Sequence, residues 1–162
     1  MVEDKTGLPI VRRLLERIVE SPLHLITLET LRCDETVAQL RVLAMREGKS
    51  IYAWEPEVGL TSLRESGLNV PGSKRLTDAL RYVMQSLHFG IYLFTRCADT
   101  MKPVDILLLR RISRMQTVNE RKLVFIGSHV DMPEELDGMF ERLAIDNELQ
   151  PQLRLRDGRW VA

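Results

Sequence analysis

Six side chains able to hold a charged ligand stand just beyond stretches that read as strands: Glu29, Arg32, Glu55, Arg96, Asp99 and Ser128. Ligands of open α/β sheets sit outside the carboxyl ends of the strands. These six are therefore the candidate ligand-binding residues. Arg32 and Arg96 would grip an anion through their forked donors. The simpler arrangement pairs the two arginines with Glu29, Glu55 or Asp99 in water, each pair contributing about 0–1 kcal/mol.

Other chemistries find less to work with. Nucleoside triphosphate hydrolysis needs GxxxxGK[ST] after the first strand, so that backbone N–H groups cradle phosphate and a lysine neutralises it. The corresponding stretch, Glu29 to Thr36, is ETLRCDET, without glycine or lysine. The third strand also lacks paired acids to hold magnesium and orient water. His24, His88 and His129 do not cluster at metal-ligand spacing, and no metal or other cofactor is expected. His129 with Asp131 has the spacing of a base and its orienter. A loop histidine beside a helix-capping aspartate is the simpler reading. Cys97 follows Arg96, which would lower its pKa, but no base stands near it in sequence, and a half-buried structural thiol is the simpler reading. No GxSxG elbow is present. The chain is expected to be no enzyme.

Arg110, Arg111, Arg114, Arg121 and Lys122 crowd one segment and would suit phosphate contacts with nucleic acid. Arg110 and Arg114, four apart, also fit the solvated face of an amphipathic helix. No aromatic side chain lies among them to stack on bases. Nucleic acid is not expected, and Arg110 and Arg114 are kept as candidate interaction residues. Trp54 is expected in the core. Trp160 is expected over an edge or a partner, since aromatics concentrate binding energy at interfaces.

The elements that would position these residues alternate. Leu8, Val11, Leu14, Leu15 and Ile18 recur at helical spacing, and Ser21-Pro22 ends that helix. Leu23 to Thr30 is apolar enough for a strand buried on both faces. Asp34 is the expected N-cap of a helix with Val37, Leu40, Val42, Leu43 and Met45 on its apolar side, closed by Gly48. Ser50 to Trp54 is the second strand. Glu55 to Lys74, rich in Gly, Ser, Pro and Asn, is expected to be a long connection. A helix from about Thr77 runs through Leu80, Val83, Met84 and Leu87, and Gly90 to Thr95 is the third strand. Pro103 opens a helix lined by Ile106, Leu109, Ile112 and Met115. Lys122 to Ser128 is the fourth strand. Pro133, Glu134 and Glu135 are expected to open a further helix. Leu153 to Leu155 is the expected fifth strand, with Asp157-Gly158 turning toward Trp160.

Composition sets the frame. One domain fits 162 residues. Lys plus Arg and Asp plus Glu number 23 each, so formal net charge is zero. That balance removes the prior for nucleic acid or an anionic membrane and leaves little repulsion between copies, so a homo-oligomer is expected. No apolar run approaches the roughly 20 residues of a membrane span. Cys33 and Cys97 lack CxxC spacing, as in a reduced, cytoplasmic chain.

From Ser21 to Asp137 the chain resembles the N-terminal domain of the hypothetical-chloroplast-reading-frame ATPases. These are AAA-family proteins of cyanobacteria, chloroplasts and many bacteria. The resemblance lies in the strand Pro22 to Thr30 with its charged turn to Arg32; GKSIYAWEPEVGL; LTDALRYV; GIYLFTRCAD; LLLRRISRM; and KLVFIGSHVDMPEEL. It implies that the ATP site belongs to a second domain, this chain standing alone. It also implies a P-loop-like fold without the P-loop and an AAA-like strand order of 5-1-4-3-2. Where the family carries an acid at the end of the third strand, Arg96 and Cys97 stand here.

The expected fold is a three-layer α/β domain over 1–162 with a mostly parallel five-stranded sheet. An N-terminal helix covers 1–20, a core 22–137, and a helix end with an edge strand 138–162. The expected function is a noncatalytic protein-interaction or regulatory module whose partner is a protein, an AAA-type ATPase by resemblance. The alternative is a sensor that binds a nucleotide or other anion at the strand ends without hydrolysis.

Overall fold

The computed structural model describes residues 8–97, 101–116, 121–146, 152–155 and 160–161. Helix α1 (Leu8–Glu20) buries Leu8, Val11, Leu14, Leu15 and Ile18. It stops before Ser21-Pro22, and β1 (Leu25–Thr30) follows, buried at nearly every position. Next come α2 (Cys33–Glu47), β2 (Ile51–Glu55), β3 (Gly59–Ser62), α3 (Leu76–Gln85), β4 (Gly90–Thr95), α4 (Pro103–Ser113) and β5 (Arg121–Gly127). A single 3-10 turn (Glu134–Leu136) leads to β6 (Phe140–Asp146), β7 (Gln152–Leu155) and β8 (Trp160–Val161).

The sheet order is β3-β2-β4-β5-β1-β6-β7-β8. β2, β4, β5, β1 and β6 are parallel to their neighbours in this run; β3, β7 and β8 are added antiparallel at the two ends. Numbered in chain order, the five parallel strands read 5-1-4-3-2 across the sheet, the order implied by the resemblance. One apolar cluster packs α1 and α2 on one face, and a second packs α3 and α4 on the other. The three-layer α/β expectation holds.

The two faces differ in chemistry. The α1/α2 face is aliphatic. On the α3/α4 face Trp54, Phe94 and Phe125 stand side by side in register on β2, β4 and β5, with ring centroids 5.9 Å and 5.1 Å apart. Trp54 is core, as expected, and its indole N–H donates to the Ser73 carbonyl at 2.8 Å.

Several boundaries are corrected. Arg32, not Asp34, is the N-cap of α2; Asp34 lies in the first turn, where the helix's positive end favours a carboxylate. Gly48 does close α2, with φ 67. Met45 and Leu87 are exposed rather than core, and Leu87 and Met115 lie beyond their helices. The long connection after Glu55 contains β3, which pairs Glu55 with Gly59 around a Pro56–Val58 turn. Pro133 to Glu135 opens only the single 3-10 turn. The fifth parallel strand is β6, where a helix end was expected, and β7 is an outer antiparallel strand. Asp157-Gly158 lies outside the described residues.

Candidate functional site

The connection from β1 to α2 is two residues, Leu31 and Arg32. In a nucleotide-hydrolysing sheet this is where a glycine-rich loop wraps phosphate. Here there is no length for one. Thr30 Oγ1 accepts the Arg32 N–H at 3.2 Å, closing the turn on itself. The first turn of α2 then carries Asp34 and Glu35, so its positive end is already balanced by carboxylates.

Beyond the strand ends lies a cavity of about 590 Å³. The start of α2 supplies Cys33, Asp34, Val37 and Arg41, and the tips of β2, β4 and β5 supply Glu55, Arg96 and Ser128. Ala53, Ile126, Val130 and Met132 give it an apolar lining. Arg96 has φ 53, a left-handed backbone that costs a non-glycine residue about 1–2 kcal/mol. It bridges the gap between β4 and β2 by pairing with Glu55 at 2.5 Å, both groups wet.

The six expected site residues are only partly brought together. Glu55, Arg96 and Ser128 line the cavity. Arg32 pairs instead with Glu35 at 3.1 Å. Glu29 accepts the Val130 N–H at 3.0 Å and faces His129 Nδ1 at 3.5 Å, pinning the loop after β5. Asp99 lies outside the described residues. Both arginines expected to grip an anion are thus engaged by glutamates. The cation the sequence reading passed over is Arg41. It is exposed on α2 and lines the cavity, and no acid stands three or four residues away to pair with it. That spacing was the available signal.

The family model described as SpoVK-like AAA ATPase, N-terminal domain, matches residues 11–145 of the 162. The chain belongs to this family. No curated protein and no solved structure matches it. The match takes in all five parallel strands of the SpoVK-like domain almost to the end of β6.

The remaining candidates of this SpoVK-like domain fall into place around that frame. His129 Nε2 sits 2.9 Å from Asp131 while Nδ1 faces Glu29, so both ring nitrogens are turned to carboxylates. Cys97 is buried, and burial pushes its thiol up to about 12. Burial outweighs any lowering by Arg96, in line with the simpler reading of a structural thiol. The basic cluster is broken up. Arg121 and Lys122 are buried in β5, while Arg110 is half-buried on α4 and Arg111 and Arg114 are exposed. Trp160 lies in β8 opposite Arg154; its side chain is outside the described residues. Among the described residues no helix is long and apolar enough to cross a membrane.

Proposed function

We propose that this SpoVK-like N-terminal domain is a noncatalytic protein-interaction or regulatory module that works with an AAA-type ATPase. The observation that carries this reading is the two-residue link from β1 to α2 inside an AAA strand order. The scaffold is kept, and the segment that would hold triphosphate is reduced to a closed turn. The exposed side of α4 supports a protein partner over nucleic acid. Val104 and Leu107 are exposed on the same helix as Arg111, a mixed apolar and basic surface with no aromatic for base stacking. Free Cys33 and Cys97 agree with a reducing, cytoplasmic setting. Self-association belongs to the same proposal, given zero net charge. The finer kinship with the chloroplast-reading-frame group rests on the stretches quoted from the sequence.

The test adds the purified chain to an isolated SpoVK-like ATPase domain and follows ATP turnover and co-elution. The expected outcome is a complex and a several-fold change in turnover. Unchanged turnover with no complex would refute the regulatory role.

The strand-end cavity favours a second reading, a small-molecule sensor. Its volume of about 590 Å³ lies within the roughly 300–1,000 Å³ usual for ligand sites.

A further inference from the structure

Within the cavity the charges are unequally engaged. Arg96 is held by Glu55, and Arg32, outside it, by Glu35. His129 lies between Glu29 and Asp131. Asp34 sits in the first turn of α2, balanced by the helix's positive end. Arg41 lies two turns further along, beyond the reach of that end, and forms no ion pair among the described residues. Beside it the wall is apolar and low. Val37, one turn back on α2, and Ala53, the smallest side chain of β2, both pack against the apolar cluster that holds Ile126, and all three line the cavity. Arg41 is thus the lining cation left outside the ion pairs of the described residues, and with the apolar wall beside it the cavity is complementary to an apolar body ending in a negative group.

We propose that this cavity binds a compact amphipathic organic anion. Its apolar body rests on Val37, Ala53, Ile126 and Met132, and its carboxylate or phosphate meets the Arg41 guanidinium. This rests on the sensor reading and gives it a ligand class and a recognition residue. The Arg96–Glu55 pair forms the rim, so it is not the anion grip. A phosphate group would sit beside α2 rather than at its N-terminus.

The probe is 1-anilinonaphthalene-8-sulfonate, an aromatic monoanion whose emission rises in apolar sites. The expected result is one saturable site on the folded chain, weakened about tenfold or more by Arg41→Ala, in line with loss of a charge-assisted hydrogen bond. Arg81→Ala, on α3 across the sheet, should leave it unchanged. Ala53→Leu, or Val37→Phe from the opposite wall if the first fails to fold, should abolish it. Melting curves confirm that each variant is folded. Displacement by octanoate would place the source among carboxylates, and displacement by adenosine monophosphate among phosphates; either supports the proposal. Binding that Ala53→Leu removes but Arg41→Ala leaves intact, or displacement by neutral octanol as effective as by octanoate, would overturn the anion assignment while sparing the sensor reading. No saturable emission would overturn both.

Discussion

Lys122 shows how far a side chain's role depends on where the chain goes next. It lies fully buried in β5, and its ammonium donates to the Ser21 carbonyl and to the Leu23 carbonyl at 3.0 Å. It therefore closes the end of α1 and ties the turn into β1. Burial lowers its pKa, opposed by the nearby Glu141 carboxylate. Glu141 is also paired with Arg17 at 3.2 Å. Lys122→Met should cost about 2–4 kcal/mol, because two buried carbonyls lose a charged donor; urea unfolding measures it. Cys97 gives a pH signature. Its thiol keeps the proton up to about 12 in the fold, whereas the unfolded chain releases it near the ordinary value of 9.0. Between those values the folded state binds more protons, so this contribution is fully present below the lower value and lost as pH rises toward the upper. The slope for one proton is about 1.4 kcal/mol per pH unit. The stability advantage of the native chain over Cys97→Ala should therefore shrink by about 1–2 kcal/mol from pH 9 to 10.5. A difference that stays constant would mean the thiol is not shielded. The buried thiol agrees with the structural reading of Cys97 made from the sequence. The role of Lys122 was not legible locally, because a lysine opening a strand looks like surface chemistry until the α1–β1 turn covers it.

At the scale of elements, the helices with clean apolar periodicity were legible, because one face meets the sheet and the other meets water. α1 follows that pattern over its whole length. The strands that were missed lack such a signal. In β6, Phe140 and Leu143 are buried three residues apart, a helical spacing, and they follow Glu134 and Glu135, which imitate a helix start. With Glu141 half-buried and Arg142 exposed side by side, the start of β6 lacks the alternation that marks a strand with one wet face. β3 is short and opens on a glycine, so it merges with the turn signals around it. That glycine is required. Gly59 has φ 87, and an added Cβ would lie 2.7 Å from Ser73 Oγ, with the Ser73 and Lys74 backbone just behind. Ser73 Oγ itself accepts the Leu60 N–H at 2.9 Å. Gly59→Ala should therefore destabilise by about 1–3 kcal/mol, through the strained φ and the displaced hydroxyl. A thermal melt within 1 kcal/mol of the parent would show that the hairpin can shift without penalty.

At the scale of the whole molecule, the parallel order 5-1-4-3-2 needed the resemblance as well as the residues, since four of its five strands were readable and the fifth was taken for a helix end. That strand-end residues gather on one rim was legible for a physical reason: parallel strands all end on one side, and Glu55, Arg96 and Ser128 do line one cavity. Which charges remain available there was not legible. Pairing of Arg96 with Glu55 and of Arg32 with Glu35 is settled by geometry, and Arg41 is left over by it. The proposed role requires that an AAA scaffold with a closed β1–α2 turn has no hydrolytic chemistry of its own. The most direct test is phosphate release from Mg²⁺-ATP by the purified chain alone. The expected rate is indistinguishable from that of the buffer at every ATP concentration. Release that saturates with ATP and disappears in Glu55→Gln would contradict it.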